Sequence, residues 1–392
     1  MRMDRFTPYL GIVAALLLGG FVVAFSGRVT VEQTRAPRIP TSSTLSILPG
    51  FTLPPLSLPD LQPPPEQIAN TTTTSSTPKT TTTVPKKVVP PETTPIPASV
   101  MATPPVSAPV SVQSSLRASL NGSASTLINA LVNILCYVPP ESGLHSISAS
   151  GVIIDSQGII LTNAHVAQYF LLTNRGVSCV VRSGNPAADK YDAALIYISP
   201  SWIHANVDVL TQAAPRGTGE YDFALLAITK SATSAALPSS FPFVPLATTP
   251  PPSGTPVVIA SYGAQFLESN QIQSSLFPTL VFGSVKDVFT FATTTIDVLA
   301  LGGSAVAQEG SSGGGVVDVS GTLMGTITTS TVEGATDTRS LDAITVSYIR
   351  AEYASETGSA LDLLLAEPTS NAVNDFAPKI PALESIITAQ LH

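Results

Sequence analysis

Apolar and polar positions alternate between short runs from about residue 127 onward, and the runs are strand-length. Val152-Ile153-Ile154 and Ile159-Ile160-Leu161 flank the polar Asp155-Ser156-Gln157-Gly158, which predicts a hairpin over Gly151 to Leu161. Further β-rich runs lie at Ser178 to Arg182, Ala193 to Ile198, Val257 to Ser261, Leu280 to Val285, Phe289 to Val298, Gly315 to Val319 and Leu323 to Thr328. Phe223-Ala224-Leu225-Leu226-Ala227-Ile228 is uninterrupted, the pattern of a buried strand. Leu127 to Tyr137 reads as a first strand, or a short helix leading into one. Many short strands separated by turn residues predict an all-β fold of paired antiparallel barrels. The proline-dense Pro238 to Pro252 is expected to link the two halves, and Ser347 to Ala366 to form a closing helix.

The pattern differs upstream. Tyr9 to Phe25 is a charge-free apolar run at the lower limit for crossing a bilayer, with Arg2 and Arg5 before it. It is read as a transmembrane signal-anchor that keeps residues 1–8 in the cytoplasm and exports the rest. The alternative is a cleaved signal peptide, with Ala24 and Ser26 near the cut, which would leave the protein secreted. Residues 26–120 are rich in Pro, Thr and Ser, with Thr71-Thr72-Thr73-Thr74 and Thr80-Thr81-Thr82-Thr83 among them. Proline fixes φ and removes donors, and no amphipathic period is present, so a disordered stalk is expected. At about 3.1 Å per residue, it could reach on the order of 250 Å. The division that follows is barrel 1 over 121–240, barrel 2 with the closing helix over 241–366, and a tail over 367–392.

Composition narrows the chemistry. A net charge of −8 over 392 residues argues against nucleic acid as a partner. Two cysteines and four scattered histidines (His145, His165, His204 and His392) offer no metal-ligand cluster, and no cofactor is expected. Cys136 and Cys179 are expected to form a disulfide in an exported domain, with two buried free thiols as the alternative.

The chemistry that remains is nucleophilic. Ser312 sits in Gly310-Ser311-Ser312-Gly313-Gly314-Gly315, His165 in Thr162-Asn163-Ala164-His165-Val166, and Asp222 ahead of the Phe223 run. A serine hydroxyl needs an imidazole to take its proton, and that imidazole needs a buried carboxylate to fix its tautomer. Gly310 to Gly314 also satisfies G-x-S-x-G, but an α/β-hydrolase requires the order Ser, acid, His, and the one histidine after Ser312 is the terminal His392. The order His165, Asp222, Ser312 is that of chymotrypsin-like enzymes, with base and acid in one barrel and nucleophile in the next. Asp192, in Tyr191-Asp192-Ala193-Ala194-Leu195, is the rival acid; Asp222 is preferred for its buried-strand sequel.

These three segments together resemble bacterial trypsin-like proteases, particularly the HtrA type, over roughly Leu127 to Ala366. Ser311 replaces the asparagine of the family's G-N-S-G-G segment. The resemblance implies two six-stranded chymotrypsin-like barrels, a serine endopeptidase acting on polypeptides, and an oxyanion hole from the Gly310 and Ser312 N–H groups. It places Val306 at the base of the pocket for the side chain before the scissile bond, which favours a small apolar residue there. Digestive relatives carry an aspartate at the Ser311 position that receives a freshly cut N-terminal amine, so activation by zymogen cleavage is not expected. The residues after 366 are too few for a PDZ module of about 80 or more. The competing function is a surface binding module that uses a protease fold without its chemistry.

Overall fold

The hairpin signalled by the apolar runs forms as β2 (Ile147–Ile153) and β3 (Ile159–Thr162), with the Asp155 carboxylate accepting from the Gln157 and Ile159 N–H groups to close the turn. The structure is a computed structural model and describes residues 110–212, 217–291, 295–331, 333–389 and 391. Around that hairpin, β1 (Leu131–Tyr137), β4 (Ser178–Ser183), β5 (Ala188–Ile198) and β6 (Ala224–Ser231) complete a closed antiparallel barrel in the order β1-β2-β3-β6-β5-β4. Closure leaves no unpaired strand edge. Cys136 of β1 and Cys179 of β4 lie directly opposite each other and form a disulfide.

The second half is a seven-stranded antiparallel sheet, where the second of two six-stranded barrels was expected. Its strands are β7 (Pro256–Ser261), β8 (Thr279–Ser284), β9 (Asp287–Phe289), β10 (Val298–Ala300), β11 (Gly315–Val317), β12 (Leu323–Ser330) and β13 (Leu341–Thr345). They run in the order β8-β7-β11-β12-β13-β10-β9. The extra strand arises because Phe289 to Val298 is not one strand. It turns back on itself so that Phe289 pairs with Val298, and the Asp297 carboxylate accepts from the Thr290 hydroxyl and the Phe291 N–H inside the turn. The two barrel-like sheets, with helix at the C-terminal end, make a chymotrypsin-like fold.

Helices correct three further expectations. The stalk does not run to residue 120: α1 (Val110–Ala130) starts inside it, and its last turns bury Ser123, Ala124, Leu127 and Ala130. The closing helix is two helices, α5 (Val346–Thr357) and α6 (Leu361–Ala366), because Gly358 adopts a left-handed cap at φ 71° that ends the first. The tail is also helical. Thr369–Phe376 and Ile380–Thr388 bury Ala372 and Phe376, then Leu383 and Ile387, in the same core as barrel 1. These pairs sit at i, i+4, a one-face spacing readable in the sequence. The short helices between strands are α2 (Ala164–Ala167), α3 (Pro200–Ala205) and α4 (Ser269–Ser274); the last four, from Val346 to Thr388, are thus α5 to α8. Among the described residues no helix is long and apolar enough to cross a membrane. The apolar run Tyr9 to Phe25 and most of the stalk lie outside them.

Candidate active site

His165 is the second residue of α2, which begins where β3 ends. Its backbone N–H donates to Asp222 Oδ1 at 2.9 Å, and its ring Nδ1 lies 2.8 Å from Asp222 Oδ2. Asp222 enters from the chain just before β6, and Asn163 Nδ2 donates to its carbonyl at 2.9 Å. The preceding Tyr221 has φ 57°, left-handed backbone that costs a bulky residue strain and is found where surrounding contacts enforce it. Here Tyr221 N–H donates to the Tyr348 hydroxyl of α5 at 3.0 Å. A third donor reaches the carboxylate from the second sheet: Thr328 Oγ1 of β12 donates to Asp222 Oδ2 at 2.7 Å.

The electrostatics follow from these contacts. Burial works against the His165 imidazolium, but the charge and hydrogen bond of Asp222 outweigh it and raise the histidine above its ordinary 6.5. Burial alone would raise Asp222. The charge of His165, its ring and backbone hydrogen bonds and the Thr328 hydroxyl instead hold it below 3.8. The carboxylate therefore stays ionised at neutral pH, binds Nδ1–H, and leaves Nε2 as the acceptor. Asp192 takes no part. It pairs with Lys230 at 3.1 Å on the partly exposed outside of barrel 1.

The Ser312 segment is held from the other barrel. Ser150 of β2 donates its N–H to the Ser312 carbonyl and its hydroxyl to the Gly310 carbonyl, both at 2.8 Å. Its own Oγ accepts from the Tyr262 N–H, and its carbonyl accepts from Thr162 Oγ1, three residues before His165. Gly313, at φ 84°, packs so closely that a β-carbon there would collide with the Ser150 carbonyl and the Thr162 hydroxyl. One buried serine thus ties the histidine strand to the serine loop. Among the described residues, no hydrogen bond joins Ser312 Oγ to His165; such contacts are often long before substrate arrives.

The Glu309 carbonyl accepts from the Ala264 N–H at 2.8 Å. In a trans peptide the N–H points opposite to the carbonyl, so the Gly310 N–H faces away from Ala264. Neither the Gly310 nor the Ser312 N–H has a protein acceptor among the described residues, as an oxyanion hole requires. Ser311 is buried, and its hydroxyl accepts from Ser261 Oγ at 2.9 Å. Val306 is fully buried in the smaller apolar core of the second sheet and offers no surface to a substrate, against its reading as a pocket base. Sequence reasoning missed Thr328 and Ser150. Each is a hydroxyl residue on a strand with no motif around it. No group of three or more His, Cys, Asp or Glu among the described residues is placed to hold a metal ion.

A closed barrel and a second antiparallel sheet, with a buried carboxylate on an imidazole and a glycine-framed serine, define a trypsin-like peptidase architecture. Residues 149–325 match the model of the family described as the trypsin-like peptidase domain. No curated protein sequence matches it. Among solved structures it is similar to the Rv3671c protease of M. tuberculosis in its active form, at 18% identity over 68% of this chain and 95% of that one, with a TM-score of 0.39. It is also similar to Deg5, at 16% identity over 59% of this chain and 91% of that one, with a TM-score of 0.39.

Proposed function

We propose that the chain is a membrane-anchored, extracytoplasmic serine endopeptidase using His165, Asp222 and Ser312. The observation that carries this reading is the Asp222 carboxylate: buried, ionised, and shared between the His165 ring, the His165 N–H and Thr328. A buried charge that merely stabilised a fold would be costly; one that presents a fixed imidazole tautomer has a use.

His165 Nε2 takes the proton of Ser312, whose oxygen adds to the peptide carbonyl. The resulting oxyanion accepts hydrogen bonds from the Gly310 and Ser312 N–H groups. His165 then gives its proton to the departing amine, leaving an acyl-serine. Water, deprotonated by the same histidine, hydrolyses that ester and restores the hydroxyl. The apolar run Tyr9 to Phe25 behind Arg2 and Arg5 supports the anchor, and the Pro/Thr-rich residues that follow support a spacer. With serine at 311, no new N-terminus is needed for activity.

A binding module is favoured by one observation, the missing hydrogen bond between Ser312 Oγ and His165. Fluorophosphonate separates the readings, because it labels only an activated serine. Covalent labelling of Ser312 is expected, and Ser312→Ala and His165→Ala should each abolish both labelling and casein hydrolysis while keeping the parent circular dichroism. A folded parent left unlabelled would establish the binding module instead.

A further inference from the structure

Arg339 is buried, 6% exposed, and no carboxylate among the described residues comes within ion-pair distance of it. A buried arginine without an acid is held by whatever dipoles its fork can reach. Nε and Nη2 both donate to the Gly334 carbonyl, at 3.0 and 2.8 Å, closing its own segment. Nη1 donates to Gln265 Oε1 at 2.6 Å and to the Ala307 carbonyl at 2.8 Å. The guanidinium carbon lies 5.7 Å from the centre of the Phe266 ring.

These partners belong to three separate loops that meet at Arg339. Gln265 and Phe266 lie in the turn after β7, and Ala307 in the loop that leads to the nucleophile. Gly334 to Arg339 precedes β13. The loops are packed to backbone contact: a β-carbon on Gly303 would collide with the Asp337 carbonyl, and one on Gly310 would sit 2.7 Å from the Tyr262 carbonyl. Arg339 grips the residue next to Ala264 and the residue two before Glu309. Those flank the hydrogen bond from Ala264 N–H to the Glu309 carbonyl, which sets the direction of the Gly310 N–H.

We propose that Arg339 is a positioning residue for the oxyanion hole, an internal cation that ties the three loops together and keeps the Gly310 N–H turned toward the reacting carbonyl. It rests on the peptidase reading above. Ser311 is uncharged and hydrogen-bonded to Ser261, so the cation that braces these loops is the one Arg339 supplies from within the chain.

The test compares the parent chain with Arg339→Ala, Arg339→Lys and Gln265→Ala, using fluorescein-labelled casein and the rate of Ser312 phosphonylation. Complete loss of an oxyanion donor costs about 10²–10³ in kcat, and disordering one should cost Arg339→Ala at least about tenfold. KM should stay within about threefold, since the contact is made to the transition state, and phosphonylation should slow in parallel. Arg339→Lys should recover part of the loss. Gln265→Ala, at a half-buried position, should lower kcat by a smaller factor and decides the matter if Arg339→Ala does not fold. Unchanged kcat in a folded Arg339→Ala or in Gln265→Ala, or a loss confined to KM, would overturn the role of Arg339 alone. A parent that neither hydrolyses casein nor reacts with fluorophosphonate would overturn the peptidase reading beneath it.

Discussion

At the scale of residues, the pair His165 and Asp222 sets the response to pH. The histidine must be neutral to accept a proton, so kcat/KM rises with pH as it deprotonates. Because Asp222 lifts it, the midpoint should lie above 6.5. Asp222→Asn removes the lifting charge and leaves the burial that opposes it, so any residual activity should titrate at a lower pH. The same change should cost about four orders of magnitude near neutrality, because asparagine favours the wrong tautomer. Asp192→Asn, which loses an exposed ion pair with Lys230, should leave turnover within about twofold. A pH–rate profile of the three proteins checks all of this. The histidine and acid could be singled out in the sequence because each stands beside an apolar run that fixes its strand. Thr328 could not: it is one of several threonines in β12, and only the approach of β12 to Asp222 gives its hydroxyl a role. Val306 misled for the opposite reason, since a count back from Ser312 says nothing of which way a loop side chain turns.

At the scale of elements, short apolar runs bounded by turns gave the strands of barrel 1 well, because β1, β2, β3 and β6 are buried over consecutive residues and paired on both sides. The failures were local rules overridden by context. Leu341–Thr345 is short and follows a polar stretch, yet it is a strand because β12 and β10 pair with it on either side. Residues 110–120 look like stalk by composition, yet they continue a helix whose lower half is anchored by Leu127. That helix supports a boundary prediction. A chain starting at residue 115 should fold cooperatively, since it keeps the turns of α1 that bury Ser123, Ala124, Leu127 and Ala130. Leu127→Ala in that chain should cost about 2–5 kcal/mol, as a fully buried leucine does. Starting at residue 131 should cost more than that single change. Urea unfolding curves of the three measure the differences directly.

At the scale of the whole molecule, the apolar run Tyr9 to Phe25 and the Pro/Thr-rich stretch predict a domain held away from a membrane. The full-length protein should sediment with membranes and resist extraction by carbonate, and protease added outside the cell should release the folded domain by cutting within residues 26–109. Recovery in the cytosolic fraction would refute that topology. The two-sheet plan was readable because turn residues recur between the strands. The arrangement of the chain's end was not, since nothing in the sequence names the surface on which Ala372, Phe376, Leu383 and Ile387 settle. That they settle on barrel 1 has a bearing on time. A ribosome releases the histidine first, then the acid, then the serine, and last the cover of the barrel where it began. A chain made in this order presents its imidazole well before the hydroxyl of Ser312 emerges. The core that barrel 1 began is completed only when Ala372, Phe376, Leu383 and Ile387 have emerged, later than all three of those side chains.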